Sequence, residues 1–182
     1  MTSVQIASLN MEKKEIFDIV TQDDVIIGTA SREECHSSPK LIHHTVQFTY
    51  VDQISGKILL TQRAFIKKHD GGKFCFLGEH ILSGETYPQA LVRGSQEEMQ
   101  YTPKKWEEMS SHIFKYAEQT EFVRFFVVDW DGTELKFDAN EIEQILWVSL
   151  EDLRSDRYDI SEMTRHWIDN IDWTKALEGS YE

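Results

Sequence analysis

The residues best suited to chemistry lie between Gly78 and Tyr101, where a glycine-bearing loop leads into a predicted helix. Two acidic residues, Glu97 and Glu98, are adjacent in the last turn of that helix. Carboxylate oxygens are the ligands that Mg²⁺ prefers, and residues three or four positions apart on a helix share one face. The pattern therefore favours an acidic site that holds a divalent cation.

This segment resembles the Nudix box, the loop–helix signature of enzymes that cleave diphosphate linkages with a divalent metal. The signature reads G-x5-E-x7-R-E-U-x-E-E-x-G-U, where U is a bulky aliphatic residue. Four charged positions are in register, namely Glu85, Arg93, Glu97 and Glu98. Four other positions depart from the signature, namely Glu79, Gly94, Ser95 and Gln100. The motif is therefore a degenerate Nudix box.

The resemblance implies roles for the residues that match. Glu97 and Glu98 would be catalytic residues and ligands of Mg²⁺, with Mn²⁺ as the alternative metal, and Glu85 would be a third ligand at the mouth of the loop. Arg93 would tie the loop to the helix. Gly94 removes an acid that in many members binds metal or activates water.

The other departures carry expectations about structure. Glu79 replaces the glycine that lets the loop fold tightly, so we expect a less compact loop. Ser95 and Gln100 are expected to weaken the packing of the helix and its exit turn.

Residues outside the box could bind phosphate or move a proton. Arg63 resembles the family's substrate-facing arginine, and its guanidinium fork suits bidentate contact with phosphate. Lys67 and Lys68 either add phosphate contacts or form a solvated basic loop. Glu143 enters the last predicted strand, where some Nudix hydrolases place the catalytic base, and Glu141 precedes it. We expect Glu143 to act as the base in place of the missing acid.

Residues from about 17 to 153 also resemble the isopentenyl diphosphate isomerase branch of Nudix proteins. In the isomerases, histidines and acids hold a metal. The comparable positions here are His36, one of His43 and His44, His80, and Glu121. His80 is also expected to contact substrate, and each histidine has a purely structural alternative. The isomerase's catalytic cysteine falls at Gly78, so the resemblance supports the fold rather than the reaction.

The pattern along the chain predicts one α/β (α+β) domain with the Nudix fold, a mixed sheet sandwiched between helices. Residues 1–13 are expected to form a loose lead-in and residues 14–182 the domain. Val46, Phe48 and Tyr50 share one face at period two, and residues 121–130 are apolar on both faces, as in a central strand. The predicted strands are 15–20, 25–30, 41–51, 57–63, 112–117, 121–130, 134–137 and 142–148. The predicted helices begin near Ser31, cover 87–100, and begin at Ser149 and Ser161.

Composition excludes several classes of protein. The chain has 182 residues and a formal net charge of −13, which argues against nucleic acid as a partner because phosphate backbones are bound by Lys and Arg. No apolar run reaches about 18 residues, the length a membrane span needs, and the N-terminus lacks signal-peptide features. Two cysteines, Cys35 and Cys75, allow one disulfide but no disulfide framework. We expect a cytoplasmic protein without a membrane partner.

Two hypotheses for function follow. The first is a Mg²⁺-dependent hydrolase that cleaves a diphosphate linkage in a nucleoside diphosphate derivative or a similar small diphosphate. The second, motivated by Gly94, is a catalytically impaired binding module of the same fold for a nucleotide or diphosphate ligand. An isomerase-like activity is the third reading, and Gly78 counts against it. The expected partner is a small-molecule diphosphate, and both a monomer and a homodimer are open.

Overall fold

The computed structural model describes residues 14–179, so the predicted lead-in at 1–13 lies outside the described residues. The strands are β1 (Ile16–Val20), β2 (Ile26–Ser31), β3 (Ile42–Asp52), β4 (Lys57–Arg63), β5 (Phe74–Cys75), β6 (Leu77–His80), β7 (Trp106–Lys115), β8 (Thr120–Asp129) and β9 (Ile142–Val148). The helices are α1 (Arg32–Cys35), α2 (Tyr87–Met99), α3 (Leu150–Arg154), α4 (Glu162–Asn170) and α5 (Trp173–Glu178).

Strand β3 is the centre of a mixed sheet. Along one edge it pairs in parallel with β8, from Ile42 opposite Thr120 to Val51 opposite Asp129. Along the other edge it pairs in turn with β1, β6 and β4, all antiparallel. Strand β7 extends the sheet beyond β8, and β9 extends it beyond β4. The strand β6 that enters the box is therefore held directly against the central strand.

Two apolar cores cover the two faces of this sheet, as the mixed-sheet prediction requires. On one face, Phe48 and Tyr50 of β3 pack with Leu91 of α2. On the other face, residues of the sheet pack with Trp167 of α4 and Trp173 of α5. The predicted fold class, a mixed sheet sandwiched between helices, is confirmed.

Strand β8 is buried on both faces, as predicted. Phe125 and Val127 belong to the core beneath α4, whereas Phe126 and Val128 belong to the core beneath α2. All four side chains are at most 4% exposed. Alternation between two dry faces explains the nearly continuous apolar sequence of this strand.

The structure corrects the predictions that follow the box. Residues 134–137 do not form a strand, because both edges of β8 are already occupied by β3 and β7. Strand β7 begins at Trp106, earlier than predicted, through a stretch whose polar residues mask its pairing with β8. A further short helix, α5, follows α4 and was not predicted.

Two further findings bear on the class of protein. Cys35 and Cys75 are both buried and both free, so the one disulfide that the sequence allows is not formed. In the part of the chain that the structure describes, no helix combines the length and the apolar character that crossing a bilayer requires.

Candidate metal and phosphate site

A tight loop joins β6 to α2. Gly84 adopts a left-handed φ of 79°, which glycine accommodates without strain. Thr86 caps α2 through a reciprocal capping box with Gln89, and Pro88 lies in the first turn, where proline is tolerated. The helix begins at Tyr87, as predicted, and ends at Met99, one residue before the predicted end.

Arg93 ties this loop to the helix, as the resemblance implied. Its Nε and Nη2 donate to the two carboxylate oxygens of Glu85, each at 2.9 Å, and Nη2 also donates to the carbonyl oxygen of His80 at 2.7 Å. Burial by itself would raise the pKa of Glu85, but the bonds from Arg93 and from the Leu82 amide lower it on balance. Both oxygens of Glu85 are therefore used to hold the loop, and its role as a metal ligand stays a prediction.

Two departures from the signature have clear structural consequences. Ser95 is fully buried, and its Oγ lies 2.5 Å from the Tyr50 hydroxyl and donates to the carbonyl oxygen of Tyr101 at 2.8 Å. It therefore fastens α2 to β3, and the expected loss of packing does not occur. Gln100 is left-handed at the C-cap, with a φ of 49°, a conformation that costs glycine less.

Glu98 faces a small cavity between β4, β6 and the segment before β9. The cavity is lined by Arg63, Gly78 and Glu141 among others and encloses about 30 Å³. That volume suits an ion or one or two waters, so the body of a nucleotide would lie outside it. No hydrogen bond or ion pair joins the Glu98 carboxylate to any described residue.

Charge and burial act together on Glu98. Burial raises the pKa of its carboxyl to about 8, and the negative charge of Glu79 adds to this rise, whereas Arg63 opposes it. Glu97, the other member of the acidic pair, is on the outer side of the helix with 59% of its side chain exposed, 3.5 Å from Nη1 of Arg93. A divalent cation between such carboxylates would stabilise their ionised forms.

Gly94 lies directly against Glu79. A Cβ atom built on Gly94 would be 3.0 Å from the Cβ and 3.2 Å from the Cγ of Glu79. Glu79 is part of the extended strand β6, and the left-handed position of the loop is Gly84 instead. The expectation that Glu79 prevents a compact loop is therefore wrong, because position 79 does not form the turn.

The predicted phosphate-binding and proton-transferring residues divide into two groups. Arg63 lines the Glu98 cavity, with its Nε donating to the His69 carbonyl oxygen at 3.2 Å, and Glu141 lines it too, held by an ion pair with Lys67. Lys68 and Glu143 are exposed and do not line the cavity. Their predicted roles in substrate binding and catalysis stay predictions.

A larger cavity, of about 520 Å³, lies away from the box. It is lined by Pro39, Lys40, Lys115 and Tyr116 among others, and by none of the predicted site residues. Without carboxylates or a phosphate-facing arginine in its lining, we do not assign the chemistry to it.

The structure brings three of the histidines together. Ligand-capable atoms of His36, His43 and His80 lie within 4.8 Å of one another, and the Nε2 atoms of His36 and His80 are 3.0 Å apart. The ring of Phe17 stacks on His80 with centroids 4.8 Å apart. Three convergent imidazoles form a ligand set typical of a transition-metal site.

Burial keeps this histidine cluster neutral. It lowers the pKa of His43 to about 4, with help from the neighbouring His36, and lowers the pKa of His80 well below its usual range. Neither ring nitrogen of His43 makes a hydrogen bond to a described residue. The nearby Leu41 backbone raises the pKa of His43 and so offsets part of the effect of burial. Neutral imidazole is the form that coordinates a metal.

The open choice between His43 and His44 is resolved by the alternation of β3. His44 turns to the opposite face, where its Nε2 contacts Asp24, which also pairs with Arg124. Arg124 in turn lies over the ring of Tyr87, 4.6 Å from its centroid. His44 therefore has a structural role.

Glu121 lies on the face of the histidine cluster. It is opposite His43 in the parallel register, and its carboxylate accepts from Thr45 Oγ1 at 3.2 Å and from Gln119 Nε2 at 2.6 Å. Burial raises its pKa to about 7. The isomerase resemblance assigned a metal-binding acid to this position, and that role of Glu121 stays a prediction.

The residue that sequence reasoning missed is Glu79. In the sequence it is a departure from the signature in the loop, whereas the structure places its carboxylate 3.3 Å from Nη1 of Arg93 and against Gly94. A signal was present in the sequence, because the signature's glycine and glutamate at positions 79 and 94 are exchanged here.

Known proteins share both the sequence pattern and the fold. An uncharacterised Nudix hydrolase of Nostoc sp. is 35% identical over 92 residues, 49% of this chain and 53% of that protein, so the chain spans about half of that relative's length. An isopentenyl-diphosphate Delta-isomerase of Streptomyces avermitilis is 25% identical over 163 residues, 84% of this chain and 80% of that one. The crystal structure of DR0079 from Deinococcus radiodurans superposes with a TM-score of 0.71 at 20% identity, covering 85% of this chain and 98% of that one.

The family model described as NUDIX domain matches residues 43–170, from the strand that carries His43 to the end of α4. The match includes the loop, the helix and the cavity described above. Since it covers well over half of the chain, we conclude that this protein belongs to the Nudix family.

Proposed function

We propose that the protein is a Nudix hydrolase that cleaves the diphosphate linkage of a nucleoside diphosphate derivative or a similar small diphosphate, with Mg²⁺ or Mn²⁺. One observation carries the proposal. The carboxylate of Glu98 has no partner among the described residues and faces a cavity that Arg63 also lines. The predicted metal ligand and the predicted phosphate-binding arginine thus line one cavity beside helix α2.

The residues present fit a hard divalent cation. Glu98 and Glu97 offer carboxylate oxygens from the end of α2, and the cavity has room for an ion with a water. When bound, such an ion lowers the pKa of its water and neutralises charge on the phosphates. Glu85 is the third ligand that we predicted, although Arg93 competes for both of its oxygens.

The chain's own residues would then bind and orient the substrate. Arg63 presents its guanidinium to the diphosphate at the cavity mouth, and Lys68 adds charge from the exposed loop. Hydrolysis also needs a group that removes a proton from the attacking water. Glu141 lines the cavity and Glu143 follows it on β9, so one of these two carboxylates serves as the base.

A substrate screen tests this proposal. Purified protein is incubated with a panel of nucleoside diphosphate derivatives and other small diphosphates, with Mg²⁺, Mn²⁺ or chelator, and monophosphate release is measured. We expect metal-dependent turnover in the wild type, a large loss in Glu98→Gln, and no change in the exposed control Glu118→Gln. Absence of turnover on every compound, or a Glu98→Gln variant as active as the wild type, contradicts the proposal.

The second candidate is a binding module of the same fold that does not turn over its ligand. The lack of a side chain at Gly94 favours it, because the signature has an acid there. It predicts that a nucleotide or diphosphate raises the thermal midpoint of the protein while no product forms. Turnover at ordinary enzyme rates excludes it.

An isomerase-like activity is supported by the histidine cluster and by the likeness to an isopentenyl-diphosphate Delta-isomerase. Gly78 provides no thiol, and Cys75 is buried behind it, with burial raising its pKa to about 11. A thiol that holds its proton so tightly is a poor acid–base group at neutral pH. Product analysis with isopentenyl diphosphate should therefore show no isomer, and any metal at the histidines would be structural or regulatory.

Location and assembly stay predictions of the sequence. Cell fractionation would test the cytoplasmic location, and size-exclusion chromatography with light scattering would distinguish a monomer from a homodimer.

A further inference from the structure

Positions 79 and 94 exchange residue types relative to the signature. The signature places a glycine at the first and a glutamate at the second, whereas this chain has Glu79 and Gly94. Each departure alone indicates the loss of a signature residue. Together they conserve the composition of the box, one glycine and one carboxylate.

The two positions are in contact. The nearest atoms to a Cβ on Gly94 are all from Glu79, including the carboxylate oxygen Oε2 at 3.6 Å. That distance is comparable with the reach of a glutamate side chain beyond its own Cβ. The Glu79 carboxylate is therefore within the space that the carboxylate of a glutamate at position 94 would use.

Gly94 is explained by this contact and not by its backbone. Glycine inside a helix costs about 0.5–1 kcal/mol relative to alanine. Gly94 is buried in the middle of α2 and is not among the glycines with positive φ. What requires a glycine there is the side chain of Glu79, which occupies the place of any side chain at position 94.

Glu79 is also held in a defined orientation. Its Oε1 accepts from the His80 amide at 2.8 Å, and its Oε2 pairs with Nη1 of Arg93 at 3.3 Å. The same Nη1 is 3.5 Å from Glu97, and Glu79 is the charged neighbour with the largest effect on Glu98. Glu79 from β6 and Glu97 from α2 thus share Nη1 of Arg93, and the charge of Glu79 also acts on Glu98.

We propose that Glu79 supplies from β6 the metal-binding carboxylate that Gly94 has removed from α2, so that the ligands are Glu79, Glu97 and Glu98. This inference rests on the proposed function, because it assigns a ligand of the same metal site. It predicts that the site is rearranged rather than impaired.

Reciprocal substitutions test the exchange. The variants are Glu79→Gln, Glu79→Gly, Gly94→Glu and the double variant Glu79→Gly/Gly94→Glu, which restores the order of the signature, with Glu118→Gln as the exposed control. The readout is Mn²⁺ binding by electron paramagnetic resonance, counting only the Mn²⁺ that excess Mg²⁺ displaces, since Mg²⁺ competes poorly for imidazole. Thermal unfolding of each metal-free variant shows that it is folded.

We expect Glu79→Gln and Glu79→Gly to weaken this binding about 10-fold or more, the scale for losing a group that shapes a metal site. The double variant should regain affinity to within about threefold of the wild type. Gly94→Glu alone should be less stable than the wild type, because its Cβ would lie 3.0 Å from that of Glu79. If Glu79→Gln fails to fold, the comparison of Glu79→Gly with the double variant decides the matter.

Failure of this inference is distinct from failure of the proposed function. Unchanged Mn²⁺ affinity in Glu79→Gln, a double variant no better than Glu79→Gly, or no Mg²⁺-displaceable Mn²⁺ in the wild type overturns the inference. If no diphosphate is hydrolysed while the Glu79 variants still lose Mn²⁺ and the double variant regains it, the inference stands and only the hydrolase proposal fails.

Discussion

Strand β6 separates two groups of possible metal ligands that differ in charge. Glu79 points toward α2, where Glu97 and Glu98 lie, whereas the next residue, His80, points to the other face, toward His36 and His43. The first group is acidic, and two of its members, Glu79 and Glu97, pair with Arg93. The second is neutral and is stacked among aromatic rings.

This difference between the carboxylates and the imidazoles indicates which group requires a cation. Burial and the negative charge of Glu79 disfavour the ionised form of Glu98, and a hard divalent ion would stabilise that form. The imidazoles are stable as neutral rings and would accept a borderline metal without requiring one. This difference supports our proposal that the carboxylate group carries the hydrolysis and that the histidine cluster is a separate site.

The largest expected effect separates the two groups by activity. Glu98→Gln should lower metal-dependent turnover by at least about 100-fold, the usual scale for losing a positioned acid or base. His36→Ala, which alters only the histidine cluster, should leave turnover within about threefold of the wild type. Steady-state kinetics with Mg²⁺ measures both. A large loss of activity in His36→Ala would show that the two groups of ligands act as one site.

The two groups should also respond to pH with opposite signs in metal-free buffer. His43 has a folded pKa of about 4 against about 6.5 when unfolded, so its contribution to stability is complete above pH 6.5 and is lost as pH falls, by about 3 kcal/mol. Glu98 has a folded pKa of about 8 against about 4.5, so stability is lost as pH rises between these values. Urea unfolding from pH 4 to 8 should show the acid-side loss reduced in His43→Phe and the alkaline-side loss reduced in Glu98→Gln.

Exposed His69 supplies the control for this pH dependence. His69→Gln should reproduce the wild-type profile at every pH, because His69 is exposed and is not part of the buried histidine cluster. A His43→Phe profile that matches the wild type would mean that burial of His43 carries no such penalty.

Replacing Arg93, which lies on the carboxylate side of β6, should lower the unfolding free energy of the protein. Arg93→Lys loses the bidentate bond to Glu85 and the bond to the His80 carbonyl, which should lower the unfolding free energy by about 2 kcal/mol. Arg157→Lys, whose pair with Asp152 is largely exposed, should change it by less than about 0.5 kcal/mol. Equal effects of the two substitutions in urea unfolding would show that Arg93 does not hold the loop in place.

The smallest effects come from the two helix caps. Thr86→Ala removes the N-cap of α2, and Ser31→Ala removes the N-cap of α1, the helix whose C-cap is His36. Each substitution should lower the unfolding free energy by about 1 kcal/mol. Thr86→Ala should weaken Mg²⁺ binding only, and Ser31→Ala should weaken binding of a transition metal to the histidines only. Calorimetric titration of both variants with both metals would expose any crossed effect.

Local patterns in the sequence predicted most of the fold and the frame of the box. Thr86 and Pro88 act at the start of their own helix, so their roles follow from local sequence, whereas the role of Arg93 was implied by the family resemblance. The same holds for the double burial of β8, where Phe125 and Phe126 face different cores because successive side chains alternate.

The remaining features depend on which elements become neighbours. The absent strand at 134–137 reflects the occupied edges of β8, which no local pattern reveals. The contact between Glu79 and Gly94 joins a strand to a helix, and only the packed structure shows it. The choice of His43 over His44, by contrast, was within reach, since the alternation that groups Val46 with Phe48 also puts His44 on their face.

The parallel pairing of β3 with β8 has a consequence for how fast the protein can fold. Every residue of the box lies in the chain between these two strands, together with β7, so the central pairing must close a long loop before it is stabilised. Such non-local contacts fold slowly, because the entropy of loop closure is lost before the contacts form. The carboxylates and imidazoles on either face of β6 should therefore reach their final positions late in refolding, after the β1–β2 hairpin and helix α2 have formed.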